Sequence, residues 1–357
     1  MKLIDWYIIK RYLGTFFIMI ILFVPIGIMV DIAEKIDKFK ENEVPTHALI
    51  NYYIDFTWYF ANLLFPIFLF LSVIWFTSKL ANNTEIIAIL SSGISFTRFI
   101  RPFMISASLI AIITFIMGMF IVPNSNKGFN EFLFKYIKKK DERKTTYLFK
   151  QINPKEYIYV SSYNPIRKRA NNFTLERFNG QKLEQKITAE SIRWIEKDSF
   201  FRLSTYTKRV INGDKELMEK LSIKDTIFDF KIDDLAPVNY KAETLSMFDL
   251  NDFINLERST GSMMINTHLL VRHKRYSLPL ASFILTIIAV SMSSFKRRGG
   301  MGLNLAFGIT LGFLFIFFDK IFGVLVTKSN FSPFLGAWLP LMLFGILAIF
   351  LLKYAKR

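Results

Sequence analysis

The sequence predicts an α-helical membrane protein with six spans, both termini cytoplasmic, and an all-β domain (sandwich, jellyroll or open barrel) inserted on the outer side between spans three and four. Three observations predict it. Hydrophobic residues make up 52% of the 357, with 39 Phe and a mean hydropathy of +0.31, above what a soluble globular chain carries. The excess is gathered into six apolar stretches of spanning length. Between the third and fourth lies the one region long enough for a separate soluble domain, residues 124–250.

A hydrocarbon core of about 30 Å takes about 20 helical residues at 1.5 Å each. Residues 12–30, 54–77, 103–122, 276–295, 303–326 and 334–352 meet that length. Within hydrocarbon each backbone N–H and C=O needs a partner in its own element, so these stretches are helices rather than open strands. Pro25 and Pro66 imply kinks. The first stretch exceeds the apolar core of a signal peptide and runs into Asp31-Ile32-Ala33-Glu34-Lys35 with no small-residue cleavage motif, so it reads as a retained helix.

Orientation follows from the short connections. Lys2, Lys10 and Arg11, then Lys79, Arg98 and Arg101, then Lys296, Arg297 and Arg298, then Lys353, Lys356 and Arg357 all fall on one side of a six-span chain. The opposite connections hold Lys35, Lys38 and Lys40 among five acids, and Lys328. The cation-rich side is cytoplasmic by the positive-inside rule, which places residues 124–250 outside.

Within that insert, Tyr157–Val160, Phe173–Leu175, Ile192–Ile195 and Phe200–Leu203 are short aromatic or β-branched runs separated by polar turns. Asn179-Gly180 and Asn212-Gly213 are hairpin signals, since a type I′ turn needs two residues with φ > 0. Such spacing predicts an antiparallel sandwich, jellyroll or open barrel. The basic run 132–144 before it reads as helix or loop leading out of span three.

The absence of Cys excludes disulfides, thiolate metal sites and Cys nucleophiles, and three scattered His (His47, His268, His273) make a metal cage improbable. No phosphate-binding Gly-x-x-x-x-Gly-Lys-Ser/Thr loop, His-Glu-x-x-His or Gly-x-Ser-x-Gly occurs, so the chain does not read as an enzyme or as an ATPase in its own right. Gly299-Gly300 with Gly302 forms a turn, not a dinucleotide fingerprint. The net charge of +17 could suggest nucleic acid, but it divides. Residues 123–275 hold 29 Lys+Arg against 20 Asp+Glu, and the remainder holds 17 against 9, much of it topology signal. The insert's surplus suits an anionic cargo or simply a solvated basic surface.

Between spans two and three, Ile86, Ile87, Ile89 and Leu90 recur at helical spacing, with Glu85 at the favourable N-terminal end and Gly93 as a stop. A short amphipathic helix over about 84–92 can dock in a partner's groove or serve as an interfacial connector.

The chain resembles the LptF/LptG (YjgP/YjgQ) lipopolysaccharide export permease family nearly from end to end. The resemblance rests on Glu85-x-x-Ala88 through Gly93-Ile94-Ser95, Arg101-Pro102, Val122-Pro123-Asn124, Phe253-Ile254 to Gly261, Lys274-Arg275-Tyr276-Ser277-Leu278-Pro279-Leu280 and Arg297-Arg298-Gly299-Gly300. It implies a permease subunit of an ABC exporter in the inner membrane. The implied divisions are 1–123 (spans one to three with the coupling helix), 124–250 (periplasmic jellyroll) and 251–357 (a connecting helix and spans four to six). The implied partners are a cytoplasmic LptB-like ATPase dimer that binds ATP and Mg, a second permease, a LptC/LptA-like bridge protein and lipopolysaccharide. No nucleic acid and no cofactor in this chain are implied. Glu85, Ala88, Gly93, Ser95 and Arg98 become the ATPase-coupling residues, acting on spans two and three.

Lipid phosphates need cations at headgroup level. Lys35, Lys38 and Lys40 follow span one, and Lys320 lies about 17 residues, or ~26 Å, along span five. These four are the candidate phosphate ligands, and lysines at helix ends also snorkel to the interface without binding anything. Two rivals stand beside the exporter. One is a bridge or assembly protein; the other is an ion-coupled transporter relaying through Asp55, Asp319 and Lys320.

Overall fold

The computed structural model describes residues 2–137, 145–164, 167–196, 199–213, 215–230, 240–262, 264–295 and 300–355. The cations at 296–298 and 356–357 used in the orientation argument lie outside them. Two compact units result: Met1–Phe129 with Glu243–Met247 and Asn266–Arg357, and Asn130–Ala242 with Phe248–Ile265.

The first unit holds six helices long and apolar enough to cross a membrane. They are α1 (Leu3–Glu41), α2 (Thr46–Asn82), the continuous run that begins with α4 (Phe96–Ile116), α8 (Ile265–Ser293), α9 (Gly300–Lys328) and α10 (Pro333–Ala355). A seven-residue helix, α3 (Glu85–Ser91), joins α2 to α4. After α4 the helix passes through a π turn (Met117–Ile121), α5 (Val122–Phe132) and a second π turn (Leu133–Ile137). Each span overshoots its apolar stretch because hydropathy registers the lipid-facing segment alone, whereas backbone hydrogen bonding continues into polar sequence. Pro25 and Pro66 both lie inside unbroken helices.

Association between helices in lipid depends on close packing and buried hydrogen bonds rather than on hydrophobic contrast. Span four supplies the small side chains, with Ala281, Ser282 and Ala289 fully buried. The Tyr12 hydroxyl and Thr286 Oγ1, 2.8 Å apart, join span one to span four, and Asn304 Nδ2 donates to Ser78 Oγ at 3.1 Å between spans five and two. Phe68, Leu69, Phe70, Val73, Phe103 and Leu285 fill the space between.

The second unit is built on a six-stranded antiparallel sheet in chain order: β1 (Thr145–Asn153), β2 (Glu156–Asn164), β3 (Arg169–Asn179), β4 (Lys182–Ile195), β5 (Phe200–Asn212) and β6 (Lys215–Thr226). The sequence runs named above fall in β2, β3, β4 and β5, but the strands are longer because their outer-face residues are polar. Both hairpins form at the Asn-Gly sites. At the first, Asn179 pairs with Lys182 and only Gly180 of the two loop residues has φ > 0 (63°), the type II′ pattern rather than I′.

One face is apolar. Ile158, Val160, Phe173, Leu175, Ile192, Phe201 and Leu203 pack there, and the chain after β6 folds back to lay Phe228 and Phe230 against Phe173 and Phe201. Asn172 (φ 51°) and Thr205 (φ 55°) adopt left-handed backbone inside strands. The register aligns them with Ser161 and Glu190 in one line across β2 to β5, joined by Asn172 Nδ2 to Ser161 Oγ (3.0 Å) and Thr205 Oγ1 to Glu190 Oε2 (3.0 Å). Two left-handed residues on one line bend the sheet there, away from an ideal pleat. The opposite face carries cross-strand ion pairs, among them Lys186 with Glu176 (2.8 Å) and a two-pronged Arg202–Asp225 contact at 2.8 Å.

Candidate functional site

Two polar stations occupy the helical unit, at the two ends of α1. The first gathers around α3. Thr84, in left-handed backbone (φ 60°), turns the chain out of α2, and Gly93 (φ 86°) turns it out of α3, a conformation that suits glycine. Ser95 then caps α4, accepting from the Arg98 backbone N–H at 3.3 Å. Ile86 is buried in the bundle while Ile87, Ala88 and Ser91 stay exposed, so α3 anchors one face and offers the other.

Sequence reasoning assigned α3 to spans two and three; the geometry adds span one. Arg98 Nη2 donates to Asp5 Oδ2 at 2.6 Å, and the same carboxylate oxygen accepts the Lys2 backbone N–H at 2.8 Å. Tyr7 Oη donates to Glu85 Oε2 at 3.3 Å, and Asn83 Nδ2 donates to Glu85 Oε1 at 3.1 Å. Asp5 and Tyr7 carried no motif, and only the packing of α1 beside α4 reveals their partners.

The second station lies at the other end of α1. Asp5 and Lys38 are about 50 Å apart along one helix. Lys38 and Lys40 sit exposed in its last turn, where cations complement the helix dipole. Lys40 borders an apolar groove of about 450 Å³ lined by Ile32, Ile36, Phe39, Leu49 and Tyr53. Lys35 is turned inward. It pairs with Asp31, donates to Tyr52 Oη at 2.7 Å and lies 5.4 Å from the Tyr52 ring centroid. Tyr52 Oη in turn donates to Asp31 Oδ2 at 3.0 Å. The four-residue spacing of Asp31 and Lys35 was visible in sequence; the tyrosine lid was not.

Lys320 belongs to a different wall. A cavity of about 320 Å³ opens among α2, the span-three helix, α8 and α9, and its polar lining includes Asn126, Glu243, Lys274, Arg275, Asp319 and Lys320. Asp319 does not pair with its neighbour Lys320: it accepts from Lys274 Nζ at 2.7 Å. Arg275 Nη2 donates to the Leu245 carbonyl at 2.6 Å, and Asn126 Nδ2 to the Glu243 carbonyl at 3.4 Å. Glu243 comes from the short α6 (Lys241–Thr244), outside the spans. Its side chain keeps accessible surface because the cavity is hollow, yet surrounding protein raises its carboxyl above the ordinary range, against the opposing pull of Lys320, Lys274 and Arg275. Lys274 and Arg275 stood in the motif opening span four, but hydropathy placed them before the span; Glu243 had no sequence signal. Among the described residues no group of three His, Cys, Asp or Glu could hold a metal ion.

The comparisons accord with this layout. The lipopolysaccharide export system permease LptF/LptG family matches residues 6–354. Two relatives, each described as lipopolysaccharide export system permease protein LptG, come from Escherichia coli strain K12 and strain O6:H1 (CFT073). Each is 20% identical over 291 residues, covering 81% of this chain and 80% of the relative. Six membrane-length helices with an inserted antiparallel sheet and a match running almost from end to end place the chain in the lipopolysaccharide export system permease LptF/LptG family.

Proposed function

We propose that this permease component of a lipopolysaccharide ABC exporter takes the lipid's phosphates on Lys38, Lys40 and Lys320 and receives its driving motion through α3. As a family member it is a multi-pass inner-membrane transport subunit and not an enzyme. In this reading both termini are cytoplasmic, and the exposed face of α3 seats in an LptB-like ATPase dimer that binds ATP and Mg. Residues 124–250 work as a periplasmic jellyroll-like module beside a second permease and a LptC/LptA-like bridge protein.

The observation that supports it best is the pair of stations on one helix. Glu85 and Arg98, from the connection that also holds Ala88, Gly93 and Ser95, contact Tyr7 and Asp5 at the start of α1, and Lys38 and Lys40 stand at its end. One helix, with Pro25 between its ends, links the two stations and can carry a displacement made at one to the cations at the other. Lys35 serves that helix by locking α1 to Tyr52, while Lys38 and Lys40 present open charge.

The test is joint neutralisation of Lys38, Lys40 and Lys320 to Gln. Lipopolysaccharide captured by the purified assembly is expected to fall at least tenfold while the ATPase still copurifies. Unchanged capture overturns the assignment.

A further inference from the structure

We propose that the cavity walled by Lys274, Arg275 and Lys320 is a phosphate-monoester subsite inside a single permease, and that Glu243 is its resident anion, displaced when a cargo phosphate enters. The proposal rests on the export reading above and deepens it, since only Lys320 is shared.

Depth is the first reason. Helices α8 and α9 have 29 residues each, about 43 Å, against a hydrocarbon thickness of about 30 Å. With the Ser293 end of α8 and the Gly300 end of α9 at the inner boundary, as the export reading has them, about 13 Å of each helix stands beyond the outer one. Lys274 and Arg275 lie about 14 Å from the start of α8, and Lys320 about 12 Å from the end of α9. All three cations therefore sit at the outer boundary between hydrocarbon and headgroups, the level of an outer-leaflet phosphate.

The second reason is the charge arrangement. Lys274 is engaged by Asp319, and Arg275 reaches the Leu245 carbonyl while also lining the cavity. Among the described residues the Glu243 carboxylate has no hydrogen bond or ion pair, although it faces Lys320, Lys274 and Arg275 across the cavity. Among the described residues that line it, three cations and two carboxylates leave one positive charge in excess, with a hollow between the cations and Glu243. At about 320 Å³ the hollow is at the small end of ligand sites, room for a phosphate with part of a sugar but not for acyl chains.

Glu243 and a phosphate cannot share the cations comfortably, because like charges in a partly dry cavity repel. Surrounding protein raises the Glu243 carboxyl above its ordinary range although the side chain keeps contact with solvent, so surrendering its cations leaves a group that a proton or water can satisfy. The segment it belongs to is held by Asn126 at the Glu243 carbonyl and by Arg275 at the Leu245 carbonyl. A phosphate drawing on Arg275 competes with the second of these, so filling the cavity loosens residues 243–247.

The experiment uses the complete export assembly in nanodiscs, with retained lipopolysaccharide measured by mass spectrometry. Glu243→Gln removes the competing charge with little change of shape and is expected to raise retention about fivefold. Glu243→Asp keeps the charge and is expected to match the parent. Cargo stripped of its phosphates is expected to show no gain with Glu243→Gln. Inorganic phosphate is expected to remove the extra lipid by competing for the same cations. Unchanged retention in Glu243→Gln, an equal gain with phosphate-free cargo, or a gain indifferent to inorganic phosphate overturns the proposal. Inorganic phosphate binding with no change in lipid retention assigns the cavity to free phosphate and overturns the cargo role. If the parent captures lipid normally and the Lys38/Lys40/Lys320 variant loses it, a silent Glu243→Gln counts against this subsite alone. If the parent captures none, the export reading itself fails.

Discussion

Breaking the Asp5–Arg98 contact should uncouple nucleotide hydrolysis from lipid movement without dissolving the assembly. The Asp5 side chain is 8% exposed and that of Arg98 31%, with a nitrogen–oxygen distance of 2.6 Å. Removing one partner costs about 3–5 kcal/mol when a pair is fully buried and about 0–1 kcal/mol when it is exposed. The Arg98 guanidinium reaches solvent, so the pair belongs near the exposed limit. Asp5→Asn, whose amide keeps part of the contact with the Lys2 N–H, is then expected to shift the balance between α4 held on α1 and α4 released by a few-fold. In proteoliposomes, lipopolysaccharide released per ATP hydrolysed is expected to drop several-fold in Asp5→Asn and in Arg98→Gln. The ATPase should remain bound, since neither residue is on the exposed face of α3. A double-mutant cycle gives the pair energy directly. A coupling energy under about 0.5 kcal/mol, or full transport stoichiometry in both single variants, would refute the latch.

Other consequences follow from single observations. Glu85→Lys removes the acceptor of Tyr7 and Asn83 and sets a cation against Tyr7, over whose ring Arg11 already lies; ATPase copurification or export should fall, and normal values for both would argue against the coupling role. Gly93→Val puts a β-branched residue at φ 86° and should weaken the α3 turn by at least about 1–2 kcal/mol, read as reduced ATPase copurification at intact membrane levels. A Cβ at Gly27 would collide with the Phe60 ring, so Gly27→Leu should lower the thermal midpoint of the detergent-solubilised protein, by about 1–3 kcal/mol of overpacking. Arg202 holds the Asp225 carboxyl below its ordinary range, so this pair stabilises the sheet above the unfolded carboxylate range and is lost as pH falls through the lowered folded value. Arg202→Gln should move the Asp225 titration, followed by carboxyl NMR, back up toward that of an ordinary aspartate.

The parts legible in the sequence are those set by local chemistry. Twenty apolar residues in a row report a lipid-facing helix whatever surrounds them, and Asn179-Gly180 reports a turn because few residues tolerate φ > 0. Gly93 was readable as the stop of α3 for the same reason. Sheet order was not, because a meander and a Greek key use the same alternation of side chains. Asp319 shows the limit for sites: its neighbour in sequence is Lys320, but one turn of geometry and the approach of α8 give it to Lys274. Lys35, one of the four candidates by position, is half-buried and donates to Tyr52, a contact between residues on different helices.

These placements bear on how one chain can both hold and release an anionic lipid. A ring of free lysines would hold phosphates tightly at every stage of a cycle, since the headgroup attraction does not depend on conformation. Here the cations are graded. Lys38 and Lys40 are open, Lys35 is committed to Asp31, and Lys274 to Asp319. Because α1 carries the first set and is fastened at its far end to Glu85 and Arg98, the proposed function has motion of α3 shift the open lysines relative to Lys320 on α9. In that proposal a phosphate loses a cation once the cation moves away by a few ångströms, because charge-assisted hydrogen bonds act only near 3 Å. Release then needs no new repulsive group, only a rod long enough to carry the displacement, and α1 runs unbroken from Leu3 to Glu41.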